Sequence, residues 1–142
     1  MVEEKTAELS INLEIMDKNL IISQTDVNGI ITSCNENMLK ITGYTNEEII
    51  GKSHNILKHP DMKDEIYENI WKTIKSGKTW QGEIKNKAKK GNAYWVSSII
   101  SPKYDKQKNL IGYTSIRYDI THKKLVSELH EEIENTQKEI IF

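Results

Sequence analysis

The chain begins with a charged segment in which apolar residues recur at helical spacing. Residues 3–18 contain neither glycine nor proline. The apolar positions fall on one narrow helical stripe: Leu9, Leu13, Met16 and Leu20. This pattern predicts an amphipathic N-terminal helix over residues 1–19, with a stripe suited to docking or to dimer formation.

From residue 20 the spacing of apolar residues changes from helical to extended. Residues 20–25 and 30–34 are rich in β-branched and apolar side chains, and the polar segment 26–29 between them ends in glycine. Such a pair of runs around a turn is typical of a β-hairpin. We therefore expect a hairpin to open the globular part of the chain.

Three short helical segments are predicted next, each with its own boundary signal. Asn35 is an N-cap candidate for a segment that ends at Gly43, and Thr45 with Glu48 forms a capping box. The third segment, residues 53–57, has weaker signals. A longer helix is predicted to begin near residues 60–61, where proline and aspartate suit a first turn, and to end at Gly77.

The following residues alternate with a period of two. One face of the segment after residue 79 carries Trp80, Gly82, Ile84, Asn86 and Ala88, and the other face is polar. Turns at 89–92 and 105–109 separate it from strands over 93–104 and 110–119, which predicts an antiparallel meander. The whole order predicts an α+β fold, a five-stranded antiparallel sheet with helices on one face.

The chain ends in a second charged helical segment. Its apolar positions are spaced by three and four residues: Val126, Leu129, Ile133, Thr136 and Ile140. This spacing fits the seam of a coiled coil, but about two heptads fit a single surface helix packed on the domain equally well. We divide the chain into an N-terminal helix (1–19), a globular domain (20–122) and a C-terminal signalling helix (123–142).

Composition excludes several classes of function. The formal net charge is −1 and the pI is about 6.4, so no general attraction to nucleic acid or to an anionic membrane surface is expected. Cys34 is the single cysteine, and no apolar run approaches the roughly 20 residues of a membrane span. We expect a cytoplasmic protein, or the cytoplasmic part of a larger membrane receptor. No catalytic motif is recognisable, so we do not expect an enzyme.

Asn86 interrupts the apolar row of the first meander strand. It is the one polar side chain in that row, and a buried amide without a partner costs about 1–3 kcal/mol. Its partner is either a protein group near the end of the strand or the edge of a heteroaromatic ligand, which a carboxamide can match with both a donor and an acceptor.

Aromatic and loop residues near Asn86 add to this picture. Trp71, Trp80 and Trp95 are candidates to flank a flat ligand, although at least one is expected to fill the core, and Gly82 leaves room for a ring to approach the sheet. The loop 58–61 offers cationic groups beside a helix N-terminus, which suits phosphate. His59 or His54 could instead ligate a haem iron.

Taken together, these segments resemble PAS sensor domains. The resemblance is carried by Gly-Tyr-Thr-x-x-Glu-x-x-Gly over 43–51, by Gly91 with Tyr94-Trp95-Val96, and by Asp119-Ile120-Thr121. More narrowly, several segments resemble the Aer-type redox sensors of bacterial energy taxis. They are residues 54–62, Ile70-Trp71, Gly77 with Trp80 and Gly82, residues 85–87, and residues 112–117.

The resemblance implies a cofactor and a site. Such domains bind FAD noncovalently, which implies His59 and Asp61 in the cofactor loop, Trp71 beside the flavin and Asn86 on its edge. Lys58 stands where these sensors commonly have arginine, so the charge is kept and the planar fork is lost. Arg117 shares its strand parity with Tyr113 and Ser115 and is expected to face the same pocket.

The resemblance also implies a function. We expect a homodimer formed through the terminal helices, in which the domain reports redox or oxygen status to an output such as a chemotaxis receptor or a histidine kinase. A haem-binding gas sensor and a ligand-free dimerisation module are the alternatives. Because Cys34 lies in the opening hairpin, a blue-light adduct switch is not expected.

Overall fold

Five antiparallel strands form a single sheet in a computed structural model that describes residues 20–141. The strands are β1 (Leu20–Thr25), β2 (Ile31–Cys34), β3 (Trp80–Lys87), β4 (Ala93–Tyr104) and β5 (Leu110–Asp119), arranged in the order β2-β1-β5-β4-β3. The predicted helix of residues 1–19 lies outside the described residues. The predicted α+β class and antiparallel sheet are confirmed.

Within residues 20–141, four α-helices and a 3₁₀ helix accompany the sheet. They are α1 (Glu36–Thr42), α2 (Asn46–Ile49), the 3₁₀ helix His54–Leu57, α3 (Asp64–Lys75) and the C-terminal α4 (Thr121–Ile141). Helices α1 to α3 pack with the inner face of the sheet around an apolar core, whose fully buried members include Ile31, Met38, Ile49, Leu57 and Val96. Strand alternation decides which side chains reach that core.

The capping predictions for the short helices are confirmed. The Asn35 side chain accepts a hydrogen bond from the Met38 N–H at 3.1 Å, and α1 ends at Gly43, whose φ of 77° suits glycine. Thr45 and Glu48 exchange the two hydrogen bonds of a capping box, at 3.2 and 3.0 Å. These local signals therefore set the boundaries of α1 and α2.

The predicted start of the long helix at residues 60–61 is wrong. Helix α3 begins at Asp64 after Lys63, which makes no side-chain cap. Residues 59–62 instead form a loop, in which the Asp61 N–H donates to His59 Nδ1 at 3.0 Å. Lys85 of β3 bonds the Asp61 carboxylate at 2.8 Å, and the Met62 N–H bonds the His59 C=O at 3.1 Å, so local turn bonds and one tertiary contact stabilise the loop.

Candidate functional site

A cavity lies between the inner face of the sheet, the 3₁₀ helix and α3. Its empty volume, counted together with the open solvent at its mouth, is about 720 Å³. Much of its wall is apolar and comes from Ile70 and Ile74 of α3, Ile84 of β3, Ile100 of β4 and Tyr113 of β5. A ligand with a large apolar surface would therefore find a matching enclosure.

Four polar atoms in this wall are buried and lack a partner. Within the described residues, the buried side-chain atoms without a hydrogen bond are Tyr67 OH, Ser98 Oγ, Ser115 Oγ and Arg117 Nε. All four residues line the cavity. An unpaired buried polar group costs about 1–3 kcal/mol, so a concentration of such groups at one cavity indicates a ligand with several hydrogen-bonding atoms.

Arg117 is the most unusual of the four. It is only 2% exposed, and its Nη2 donates to Ser23 Oγ at 2.7 Å and contacts Met38 Sδ at 3.4 Å. Its Nη1 donates to His54 Nε2 at 3.1 Å, and among the described residues no carboxylate forms an ion pair with it. Burial lowers the pKa of this guanidinium to about 10. The cavity thus contains a buried cation with neutral partners.

His54 is held in its neutral form beside that cation. Because Arg117 can only donate, Nε2 of His54 accepts, and the ring proton resides on Nδ1. The Ser23 hydroxyl also lies 3.2 Å from the same nitrogen. Burial, and then the charge of Arg117, lower the pKa of His54 to about 3. His54 lines the cavity as an acceptor that orients the guanidinium.

Asn86 has a protein partner across the sheet. It is buried in β3 directly opposite Tyr94 of β4, and the two side chains are hydrogen-bonded. Burial raises the pKa of Tyr94, whereas Arg117 and the Asn86 hydrogen bond oppose the rise. One hydrogen bond of the Asn86 amide is therefore made with a protein group, which was the first of the two possibilities considered from the sequence. Asn86 still lines the cavity, and its backbone pairs with that of Lys58.

Trp71 forms part of the cavity wall. Its ring meets that of Tyr113 edge to face, with centroids 5.7 Å apart. A Cβ added to Gly29, whose φ is 81°, would stand 3.0 Å from the indole, so only glycine allows the β1–β2 turn to lie this close. The turn, Trp71 and Tyr113 together close one side of the cavity.

Trp80 faces the core but does not line the cavity. Its indole lies over Gly82 of the same strand, where an added Cβ would stand 2.5 Å from Cη2. Gly82 does make room for a ring, as predicted, but that ring is supplied by the protein itself. Trp80 is therefore not retained as a cofactor contact.

Trp95 lies on the outer face of β4, because its inward neighbours are Tyr94 and Val96. Its backbone C=O and N–H bind the Ile120 N–H at 2.8 Å and the Thr121 hydroxyl at 2.9 Å. The ammonium of Lys124 lies 4.7 Å from its ring. The prediction that Trp95 contacts a cofactor is thus wrong for this cavity, and the residue instead anchors the start of α4.

Lys58 marks the side of the cavity that is open to solvent. Its ammonium bonds the Asp64 carboxylate at 2.8 Å and lies 4.5 Å from the ring centroid of Tyr67. His59 and Asp61 do not line the cavity, since Asp61 turns to Lys85 at 2.8 Å. The hydrogen bonds from the two lysines lower the pKa values of Asp61 and Asp64.

Sequence reasoning placed some lining residues and missed others. Of the predicted contacts, the cavity brings together Lys58, Trp71, Asn86 and Arg117, and it leaves out His59, Asp61, Trp80 and Trp95. The polar lining residues that were not predicted as contacts include Thr25, Asn55, Tyr67, Ser98 and Ser115, and His54 was considered only as a ligand of haem iron. The spacing of residues was an available signal. Ser115 is two residues from Arg117 and so shares its face of β5, and Tyr67 lies one helical turn before Trp71.

Residues 20–141 contain no group of three or more His, Cys, Asp or Glu side chains placed to hold a metal ion. Within the same residues no helix is long and apolar enough to cross a membrane.

Comparison with known families explains the architecture. Residues 31–117 match the family model of the PAS fold. The chain belongs to the PAS-fold family. The PAS-like motifs therefore reflect true membership, and the antiparallel sheet with helices over one face is the family's fold.

Curated relatives of this PAS domain belong to signalling proteins. The aerotaxis receptor of Escherichia coli K12 is 34% identical over 116 residues, covering 82% of this chain and 23% of the receptor. The biofilm dispersion protein BdlA of Pseudomonas aeruginosa is 29% identical over 117 residues, covering 82% of this chain and 28% of that protein. The chain thus spans about a quarter of their length.

Solved structures resemble the chain over most of its length. A PAS domain from Colwellia psychrerythraea aligns with a TM-score of 0.67 at 29% identity, covering 72% of this chain and 87% of that one. A light-oxygen-voltage domain studied with a flavin analogue aligns with a TM-score of 0.69 at 21% identity, covering 90% and 96% of the two chains. At that identity the second likeness concerns the fold alone.

Proposed function

We propose that this PAS domain binds FAD and reports the oxidation state of the flavin to a signalling output. The observation that carries the proposal is the set of four unpartnered buried atoms at one cavity, on Tyr67, Ser98, Ser115 and Arg117. A flavin ring has apolar faces and an edge rich in hydrogen-bond acceptors. Arg117 supplies the strongest donor for that edge, and the serine and tyrosine hydroxyls supply adaptable ones.

The apolar and aromatic residues of the cavity fit the same ligand. Trp71 and the isoleucines of α3 and β3 offer flat or apolar surface, and Asn86 presents an amide from β3. The similarity to the aerotaxis receptor supports an assignment to redox or oxygen sensing. A bound flavin would supply a group that accepts electrons and protons reversibly.

The residues of this chain would detect such a change through Arg117 and Asn86. Arg117 is a fixed positive charge whose orientation is held by His54 and Ser23, so its free energy depends on the charge of whatever faces it. Asn86 is linked to Tyr94, and the next residue of β4 is Trp95, which binds the start of α4. A shift of β3 against β4 would therefore reach α4 directly, and about 1–3 kcal/mol of coupling is sufficient for a signal.

Helix α4 would carry the signal in a homodimer. Val126, Leu129 and Ile133 are 42%, 56% and 47% exposed, so the predicted seam has no partner within the described part of one chain. Valine and isoleucine at one seam position with leucine at the other favour two parallel strands. We propose that this helix leads to the output of a chemotaxis receptor, a histidine kinase or a similar protein, on the cytoplasmic side.

The cofactor is tested by reconstitution. Purified protein is incubated with FAD, separated by gel filtration and examined by absorption, and we expect a bound flavin spectrum. Ser98→Ala should weaken FAD binding, because it removes an inward hydroxyl. Ser97→Ala is the matched control, since Ser97 is the outward-facing neighbour on the same strand.

Other results would contradict the proposal. Protein that stays colourless after reconstitution would favour a ligand-free module, and a haem spectrum on purification would favour a gas sensor. His54 is poorly placed as an iron ligand, because its Nε2 already accepts from Arg117. Equal FAD affinity in the Ser97 and Ser98 variants would remove the unpartnered hydroxyl as an argument.

The dimer has its own test. Leu129→Glu should shift the chain towards monomer in analytical ultracentrifugation, because it places a charge in the seam. Glu131→Lys changes charge on the opposite face of α4 and should leave the association unchanged. A wild-type chain that is already monomeric at high micromolar concentration would refute the seam.

A further inference from the structure

Lys58 and Arg117 are the two cationic residues that line the cavity, and they differ in their surroundings. Among the described residues Arg117 is buried without a carboxylate partner, whereas Lys58 is about one-third exposed and already bonded to Asp64. The Lys58–Asp64 pair therefore lies where the cavity meets solvent. A long ligand whose ring occupies the interior would pass its tail through this opening.

Asp64 is well placed to retain the Lys58 ammonium. The two groups are 2.8 Å apart, and Asp64 is the first residue of α3, where the helix dipole favours a negative charge. The face of the Tyr67 ring, 4.5 Å from the same ammonium, adds a second favourable contact. Lys58 is thus already satisfied by groups of the protein itself.

We propose that Asp64 is a specificity residue, which competes with the anionic tail of a ligand for Lys58 and so weakens selection for phosphorylated flavins. This inference rests on the proposed flavin site. A phosphate that approaches Lys58 must either displace the Asp64 carboxylate or lie close to it. Both arrangements oppose the attraction that a free lysine would offer. The isoalloxazine ring, held in the interior, is not subject to this competition.

The effect should be visible as a change in ligand preference. Removing the Asp64 charge frees Lys58 for phosphate, and an exposed ion pair of this kind accounts for roughly a two- to fivefold difference in affinity. Riboflavin has the same ring and no phosphate, so its affinity should not change. The gain should also decline with added salt, because the groups are exposed to solvent.

The experiment measures dissociation constants of riboflavin, FMN and FAD by flavin fluorescence at low and high salt. The variants are Asp64→Asn, Lys58→Met and the double variant, with Glu65→Gln as the matched control. Glu65 lies in the same first turn of α3, so its variant removes an equal charge from the helix end without touching the ion pair. Urea denaturation of each variant establishes that the fold is retained.

We expect Asp64→Asn to tighten FMN and FAD but not riboflavin, and we expect this gain to vanish when Lys58 is methionine. An equal change for all three ligands, or an equal change in the Glu65 variant, would overturn the inference while the flavin site stands. If no flavin binds to any variant, the proposed function fails and this inference fails with it.

Discussion

The buried charge of Arg117 gives the sharpest prediction. Replacing Arg117 with methionine removes a guanidinium that is 2% exposed and whose partners among the described residues are neutral: Ser23, His54 and Met38. In most buried ion pairs the loss of one partner strands the other charge. Here no carboxylate among the described residues would be left unpaired, so the substitution should cost less than breaking a buried ion pair.

The magnitude follows from the lowered pKa. Burial reduces the pKa of Arg117 from 12.5 to about 10, which corresponds to roughly 3 kcal/mol of unfavourable free energy for the charged form. Since the folded-state pKa is depressed, this cost is present at all pH values below about 10. The hydrogen bonds to Ser23 and His54 are lost as well, and each bond to a charged group contributes about 1.5–3 kcal/mol, so the two losses together cancel or exceed the gain. We expect a net change between about zero and a loss of about 2.5 kcal/mol in the variant.

The assay is urea denaturation of the ligand-free protein at pH 7, followed by FAD titration. Arg117→Met should lose less than about 3 kcal/mol, the minimum expected when one partner of a buried ion pair is removed, and should bind FAD at least tenfold more weakly, because the strongest donor of the cavity is gone. Ser23→Ala is the companion variant that retains the guanidinium. It keeps the charge, removes a 2.7 Å hydrogen bond and should destabilise by about 1–3 kcal/mol.

A loss of about 3 kcal/mol or more in ligand-free Arg117→Met would refute this reasoning. It would mean that the guanidinium is compensated within the protein and holds the core together. Unchanged FAD affinity would separately show that Arg117 does not contact the ligand.

Three further results are expected. His54 is neutral in the fold with a pKa of about 3, whereas in the unfolded chain it takes up a proton near pH 6.5. As the pH is lowered from 6.5 towards 3, the free energy of unfolding should therefore fall by at most about 1.4 kcal/mol per pH unit. His54→Gln should lack this contribution in urea denaturation measured over the same pH range. Gly82→Ala should cost about 1–3 kcal/mol because it forces Trp80 away, and an unchanged tryptophan emission would contradict the contact. Lys124 contacts both Glu83, at 2.9 Å, and the Trp95 ring. Lys124→Met should therefore lower the free energy of local opening at the start of α4 by about 1 kcal/mol, measured as faster hydrogen exchange. Glu83→Gln should have no further effect in that variant, and an additive effect would argue against the bridge.

Predictions that depend on neighbouring residues alone agree with the structure. Asn35, Thr45 and Glu48 cap helices because each side chain needs only backbone groups two or three residues away. The same holds for strand alternation, which placed Asn86 and Arg117 on the inner face. These features follow from the geometry of the chain over a few residues.

Predictions that depend on distant partners were less reliable. Pro60 and Asp61 carry good signals for a helix start, yet residues 59–62 form a loop. In this loop the Asp61 carboxylate pairs with Lys85, which is 24 residues away in sequence. Trp95 is a residue type typical of cavity walls, but the alternation of β4 places its side chain on the outer face of the sheet. Trp80 does face inward, but its indole packs over Gly82 of the same strand and not against the cavity.

The sequence by itself determined the order of the elements, their caps, the alternation of each strand and, through its motifs, the PAS family. Only the tertiary structure decided which inward residues share a cavity, that Tyr94 supplies one hydrogen-bond partner of Asn86, and that Arg117 is buried without a carboxylate partner among the described residues. The reason is physical. Capping and alternation are set within one helical turn or a few strand residues, whereas the hydrogen-bond partner and the burial of a side chain depend on segments brought together by folding.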